Sequence, residues 1–433
     1  MTIEDYLAQN AELYPDKVAV VCGEERCTYK ELWQKVTVKT HDYDGREIIP
    51  FRFTPTVESL ATYFAIHQTN SVAVPLDKDL PEPLFQNFKQ ELQQVTVPEG
   101  TADILYTTGT TGKSKGVIIS HDTIVANTEN LVDRLEYTPD LTFIINGPLN
   151  HIGSLSKIYP VIYTGGTLYI INGMKDIKLF FDAIDKAPGK VATFLVPTSI
   201  RMLLQMFRKD LAVRADKIDF IEAGAAPLFK ADMENLMQVL PNSRLYNTYA
   251  STETGIIASY NYNGDECIEN CLGTPMKHSQ ITIGEGGQII CSGRTLMTGY
   301  VNDKKLTDSV LRDGKIYTAD IGEIDAKGRL HLKGRKGDVI NVGGFKVSPV
   351  EVESVALMLP YIKDCICINA KHPLLGNCMR LLFTSDSKIN IREIAEFMKE
   401  HLESYKLPTY FKQVDSIKRT FNGKLDRKAY VES

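Results

Sequence analysis

The run Thr107-Thr108-Gly109-Thr110-Thr111-Gly112-Lys113-Ser114-Lys115-Gly116 packs four threonines, three glycines, two lysines and a serine into consecutive positions. Hydroxyls, unencumbered backbone amides and ammonium groups in one loop have the chemistry of an anion cradle. Glycine lets the backbone curl until successive N–H groups face one point, and the lysines add charge. Ile104-Leu105-Tyr106 before the run and Val117-Ile118-Ile119 after it read as short buried strands, so the pattern predicts a loop joining two strands. A Walker A loop carries glycine five positions before its Gly-Lys step and then opens a helix. Here that position is Thr107 and a strand-like run follows, which argues against a P-loop kinase or ATPase. A glycine- and threonine-rich loop with no ligand remains the bland reading of these residues alone.

Outward from the loop, short apolar runs alternate with helical patterns up to about residue 250. Val191–Leu195 precedes a helical pattern over 198–209, and Asp219-Phe220-Ile221 precedes one over 227–240. This alternation predicts a layered α/β fold. Thr28 with Glu31 has capping-box spacing, and Val57, Leu60, Ala61, Phe64 and Ala65 mark one face of a helix. From about 265 to 335, paired glycines such as Gly286-Gly287 interrupt short strands, as expected of a small, mostly β subdomain. Farther on, Ser348-Pro349-Val350-Glu351 reads as an N-cap, a first-turn proline and a reciprocal acidic partner opening a helix over 349–359. Strands at 363–369, 379–384 and 410–417 and a helix over 391–402 complete a compact α+β unit.

With 433 residues, 43% of them hydrophobic, the chain is long enough for two or more domains with sizeable cores. Its 49 basic and 54 acidic residues leave a net charge of −5, which gives no reason to expect nucleic acid as a partner. The start, Met1-Thr2-Ile3-Glu4-Asp5, is acidic and leads into an amphipathic helix, unlike a signal peptide. No apolar run is long enough to span a bilayer, so the cytoplasm is the expected compartment. Eight cysteines without a Cys-x-x-Cys pair read as free thiols rather than a zinc site. Cys365 and Cys367 alternate with Ile366 and Ile368 in an expected strand.

Two further clusters carry chemistry. Asn247-Thr248-Tyr249-Ala250-Ser251-Thr252-Glu253-Thr254-Gly255 combines an aromatic face, hydroxyls and one carboxylate. Such a carboxylate beside a phosphate loop suffices for magnesium, which takes one or two carboxylates plus phosphate oxygens and water. Upstream, Glu222-Ala223-Gly224-Ala225-Ala226-Pro227 ends a strand in small residues that let a flat ring approach the backbone, although such a stretch is more often just a tight turn. Tyr317-Thr318-Ala319-Asp320 and Gly334-Arg335 offer a carboxylate and a guanidinium suited to ribose hydroxyls.

Taken in order from about residue 102 to the end, these motifs and the terminal Asn422-Gly423-Lys424 resemble the adenylate-forming superfamily of AMP-forming acyl-CoA synthetases, peptide-synthetase adenylation domains and luciferases. The resemblance implies a large multi-subdomain N-terminal α/β domain over 1–335, its small β subdomain at about 265–335, and a mobile α+β C-terminal domain over 336–433. It implies ATP, Mg2+ and coenzyme A, or the phosphopantetheine of a carrier protein, as the groups handled. Thr107, Thr108, Gly109, Thr110, Thr111, Gly112 and Lys115 would hold the β- and γ-phosphates, Thr252 the α-phosphate and Glu253 the magnesium. Tyr249 would stack on adenine, lined by Gly224, Ala225, Ala226 and Asn247, while Asp320 and Arg335 would bind the ribose. Lys424 would be the adenylation lysine, and Gly343 and Gly344 would approach the pantetheine tunnel after the C-terminal domain rotates. His151, in Pro148-Leu149-Asn150-His151-Ile152-Gly153, falls where acyl-CoA synthetases often gate the acyl pocket; a satisfied structural histidine is the alternative.

Three departures stand out. Ala250 replaces a usual glycine, Gly337 takes the pivot position where Asp or Lys is usual, and the phosphate loop begins early, which implies a shortened N-terminal region. The expected activity is activation of a carboxylic acid to its adenylate and transfer to a thiol, most like the small-acid CoA ligases. Residues 145–157 contain no acidic side chain to bind an α-amine, which disfavours an amino acid. Loading of a carrier protein is the alternative within the enzyme class, and a non-catalytic nucleotide-binding scaffold is the alternative outside it. The scaffold should have lost Glu253 or Lys424, and both are present.

Overall fold

The structure is a computed structural model that describes residues 1–108, 114–264, 266–342, 345–372, 376–420 and 424–430. Its centre is a run of parallel strands, Val18–Cys22, Thr167–Ile170, Thr142–Ile145, Val191–Leu195, Ile218–Ala223 and Arg244–Ser251, lying side by side in that order. The first five are short and draw at least half of their residues from Val, Ile, Leu and Phe, as strands buried on both faces tend to, whereas Arg244–Ser251 is longer and polar toward its end, where it carries site residues. Antiparallel pairing of Arg244–Ser251 with Gly255–Asn261, and of that strand with Cys271–Pro275, carries the sheet into the β-rich region. Apart from Gly299–Tyr300, the strands over about 271–335 extend the large sheet, in which Lys315–Ile324 and Leu330–Arg335 pair as a hairpin and Ser279–Ile283 and Gln288–Gly293 lie beyond them at the edge.

A second sheet holds the phosphate loop. Thr101–Thr108 and Ser114–Ser120 pair antiparallel from Thr101↔Ser120 to Thr108↔Ser114, so a strand, not a helix, follows the loop. Ile48–Arg52 and Val72–Leu76 extend this sheet on one side, and Gly299–Tyr300 pairs with Val117 and Ile118 on the other. The helix Val57–Gln68 buries Val57, Leu60, Ala61, Phe64 and Ala65 as its spacing predicts. Thr28 and Glu31 complete their capping box, with Glu31 N donating to Thr28 Oγ1 at 3.2 Å and Thr28 N to Glu31 Oε2 at 2.8 Å.

The C-terminal residues form a three-stranded sheet, Asp364–His372 and Gly376–Thr384 antiparallel and Tyr410–Gln413 parallel to the latter. The helices Pro349–Leu357 and Ile391–His401 pack on it over a separate core that includes Val352, Cys365, Cys367, Met379, Phe383 and Met398. One local expectation fails here. Ser348 makes no side-chain cap, and its buried hydroxyl has no hydrogen-bond partner. Glu351 turns away to Lys406, 2.5 Å distant, so the reciprocal partner that a capping box needs is committed to a tertiary ion pair. All eight cysteines are free, and Cys365 and Cys367 are buried in their strand. Among the described residues no helix is long and apolar enough to cross a membrane.

Candidate active site

The parallel strands end at a common edge, where open α/β sheets generally bind ligands. At that edge Ile218–Ala223 runs into Gly224 and Ala225, and Arg244–Ser251 carries Asn247 and Tyr249 before Thr252 and Glu253. A Cβ on Gly224 would stand 3.1 Å from the Thr248 carbonyl oxygen and 3.2 Å from the Phe194 ring, so a side chain there would crowd both. Ala225 has φ +68°, a left-handed conformation that costs a non-glycine residue energy and is concentrated at functional sites.

Tyr249, Asp320 and Arg335 meet although distant in sequence. The Tyr249 hydroxyl donates to Asp320 Oδ2 at 2.8 Å, and Arg335 Nε lies 3.7 Å from Asp320 Oδ1. Register across the Lys315–Ile324/Leu330–Arg335 hairpin explains the second contact, since Asp320 pairs directly with Arg335. Burial, reinforced by the Asp320 charge, pushes the Tyr249 phenol well above its ordinary value and keeps it a donor. Asn247 is buried and its amide nitrogen donates to the Cys271 carbonyl at 3.1 Å, so its nitrogen is tied to the neighbouring strand.

Glu253 is held by a residue that sequence reading passes over. The Tyr300 hydroxyl donates to Glu253 Oε1 at 3.0 Å, and Lys115 Nζ sits 5.6 Å from the centre of the same ring. Tyr300 thereby joins the end of the phosphate hairpin to the carboxylate. A single carboxylate so placed, linked through Tyr300 to the neighbourhood of Lys115, suits a magnesium ion completed by phosphate oxygens and water. Gly109, Thr110, Thr111 and Gly112, together with Gly343, Gly344 and the side chain of Thr108, lie outside the described residues.

Lys424 reaches this cleft from the C-terminal unit. Its turn is closed by Thr420 N donating to Lys424 O at 2.8 Å and Asp426 N to Lys418 O at 3.1 Å, beside an Arg419↔Leu425 bridge. Arg427 anchors the following residues through Glu353 and the Cys367 carbonyl. Lys424 is an exposed residue around which protein nonetheless crowds enough to desolvate its ammonium. That crowding, and then Arg335, lower its pKa from the ordinary lysine value, against the opposing pull of Asp320 and Glu253. His151, the N-cap of the helix Ile152–Thr164, also feels Lys424, and burial is the main reason its imidazole stays below its usual value.

The wall behind His151 is shaped by Phe194, another residue without a local signal. A Cβ on Gly153 would come 3.3 Å from its ring, as one on Gly224 would at 3.2 Å, so Phe194 lies between both glycines. Nearby, Lys157 and Glu222 form a fully buried ion pair at 2.7 Å.

The AMP-binding enzyme family matches residues 82–301, just over half of the chain, and the AMP-binding enzyme C-terminal domain matches 351–424, ending on Lys424. The chain belongs to the AMP-binding enzyme family. This AMP-binding enzyme is 26% identical over 355 residues to 4-coumarate--CoA ligase 3 of Oryza sativa subsp. japonica, covering 76% of the chain and 63% of that relative. It is 28% identical over 334 residues to 2-succinylbenzoate--CoA ligase of Staphylococcus aureus (strain MSSA476), covering 75% and 66%. The match thus spans just under two thirds of the length of these curated relatives. ATP-bound MatB from Rhodopseudomonas palustris superposes with a TM-score of 0.88 at 23% identity, covering 99% of each chain. The fold of this AMP-binding enzyme is therefore the adenylate-forming one that its motifs resemble.

Proposed function

We propose that the chain activates a carboxylic acid with ATP and passes the acyl group to a thiol, coenzyme A being the acceptor that the CoA ligases among its relatives favour. The observation that carries this reading is the convergence of Lys424 with Glu253, Asp320 and Arg335 on one cleft from two ends of the chain. In the first step a carboxylate oxygen attacks the α-phosphorus and the bond to the β-phosphate oxygen breaks, giving an acyl adenylate and pyrophosphate. Negative charge crowds where those groups meet, and the Lys424 ammonium supplies the opposite charge there.

Thr252 would face the α-phosphate, while Thr107, Thr108 and Lys115 with the rest of the loop would hold the departing pyrophosphate. Asp320 and Arg335 would take the ribose and Tyr249 the adenine face, beside Gly224, Ala225 and Ala226. Magnesium bound at Glu253 would neutralise phosphate charge. In the second step the thiol sulfur attacks the acyl carbon, its proton goes to solvent, and AMP leaves.

The domain division at 335/336 is proposed on the separate core that begins at Ile340. His151 and Phe194 would border the acyl group, and the absence of an acidic side chain over 145–157 supports an aryl or aliphatic acid over an amino acid. Pyrophosphate exchange across aryl, short-chain, long-chain and amino acids, followed by trapping with coenzyme A or a holo carrier protein, tests the proposal. Exchange with an aryl or aliphatic acid and trapping by coenzyme A are expected. No exchange with any acid would overturn it in favour of a nucleotide-binding scaffold.

A further inference from the structure

Three helices, Ile3–Leu13, Val57–Gln68 and His121–Leu135, each send one side chain with a donor atom to a common buried point. These are Glu4, His67 and His121, and one ligand atom from each lies within 4.8 Å of the others. Glu4 is 2% exposed and His67 4%. Glu4 Oε1 stands 2.8 Å from His67 Nδ1, and Glu4 Oε2 stands 3.9 Å from His121 Nδ1. That second oxygen is fully buried and accepts no hydrogen bond, a state that carries a large desolvation cost.

On its far side His67 is braced. Nε2 lies 3.1 Å from Asp103 Oδ1, while Asp103 Oδ2 accepts from the Tyr63 hydroxyl at 2.9 Å and the Tyr159 hydroxyl at 3.3 Å. A carboxylate that takes the remote N–H of a metal-bound imidazole, and is itself hydrogen-bonded, is the usual support for such a ligand.

We propose that Glu4, His67 and His121 form a structural site for one divalent transition ion of the zinc class. Two imidazoles and one carboxylate suit zinc, whose neighbouring donors in a tetrahedral shell stand about 3.3 Å apart given bonds near 2.0–2.1 Å. The two imidazoles flank opposite oxygens of the same carboxylate, at 2.8 and 3.9 Å, and one ligand atom from each residue lies within 4.8 Å of the others, so drawing them to that spacing needs side-chain movement of about an ångström or more. The His121 side chain, 19% exposed, offers the entry path, and water would complete the shell.

Charge supports the same occupant. Without an ion, a proton on His67 offsets only one of the Glu4 and Asp103 charges, whereas a divalent ion offsets both. Binding displaces the Nδ1 proton to solvent and leaves Nε2–H donating to Asp103. The ion would bring the His121 helix into the polar contact that already joins Glu4 to His67, and this reading does not depend on the reaction proposed above.

Full-length protein stripped with EDTA and titrated with Zn2+ is expected to take up one equivalent and to raise its unfolding midpoint by about 5 °C or more at saturation. With Co2+ it should show the visible bands of a four-coordinate ion. Glu4→Gln and His121→Asn should each lose the equivalent and the bands, while His331→Asn, in a surface pair with Asp325, should keep both. A featureless visible spectrum of the unaltered protein at saturating Co2+ overturns the site whatever the variants do. So does uptake that persists in both Glu4→Gln and His121→Asn, which would leave the cluster as a proton-bearing ion pair.

Discussion

Glu253 and Lys424 face one cleft, but their supports differ in kind. Glu253 follows a strand of the long central sheet and is held by Tyr300 from the neighbouring sheet, above a large shared core. Lys424 stands on a short turn in a unit with its own small core. Among the described residues a single ion pair joins that unit to the body, made by Arg201, which reaches Asp232 at 2.7 Å within the body and Asp364 at 3.1 Å across the boundary. The wall proposed to grip the nucleotide is built into the fold. The lysine is brought to it through polar contacts that can be exchanged, as the proposed two-step reaction would require.

Removing the delivered charge is the sharpest way to break this comparison. Lys424→Ala should lower acid-dependent pyrophosphate exchange by about 100-fold or more while leaving ATP binding nearly intact. Unchanged exchange would take the lysine out of the mechanism. The charge can also be removed by titration. Crowding and Arg335 hold the Lys424 pKa below the ordinary lysine value, so its proton is lost as pH rises, and the rate should fall on the alkaline side earlier than for a free lysine. Lys424→Arg, which does not deprotonate in this range, should retain some activity and move that limb upward.

On the built-in side, Glu253→Gln should reduce exchange on the order of 10- to 100-fold and raise the Mg2+ concentration needed, because a neutral amide is a weaker ligand. A loss that Mg2+ does not relieve would point to the Tyr300 contact instead. At the boundary, Arg201→Ala should lower exchange several-fold without a matching fall in thioester formation from supplied acyl adenylate, a split measurable by single turnover. The smallest effect belongs to Gly337, the proposed pivot. A Cβ on Gly337 meets nothing within 4 Å, so Gly337→Ala should change exchange less than about twofold, with any larger effect confined to the thiol step.

What could be read from sequence divides along similar lines. The phosphate hairpin was legible because its glycines, hydroxyls and flanking strands are contiguous, and Thr28 with Glu31 because a capping box spans one helical turn. Tyr300, Phe194 and Arg201 carried no such signal. Tyr300 meets a carboxylate 47 residues away, Lys157 one 65 away and Arg201 one 163 away, so only the completed topology brings them together. Ser348 shows the converse error, where a correct local pattern was overruled because Lys406 offered Glu351 a better partner.

Asp364 divides its carboxylate between two arginines: Oδ1 receives Arg201 of the body, and Oδ2 receives Arg419 at 2.6 Å, on the same turn as Lys424. If the C-terminal unit rotates as the proposed two-step reaction requires, Arg201 would be withdrawn from Asp364, and the turn carrying Lys424 would lose its tie to the body. Alignment of the charge would then coincide with docking, so a detached lysine would also be a misaimed one.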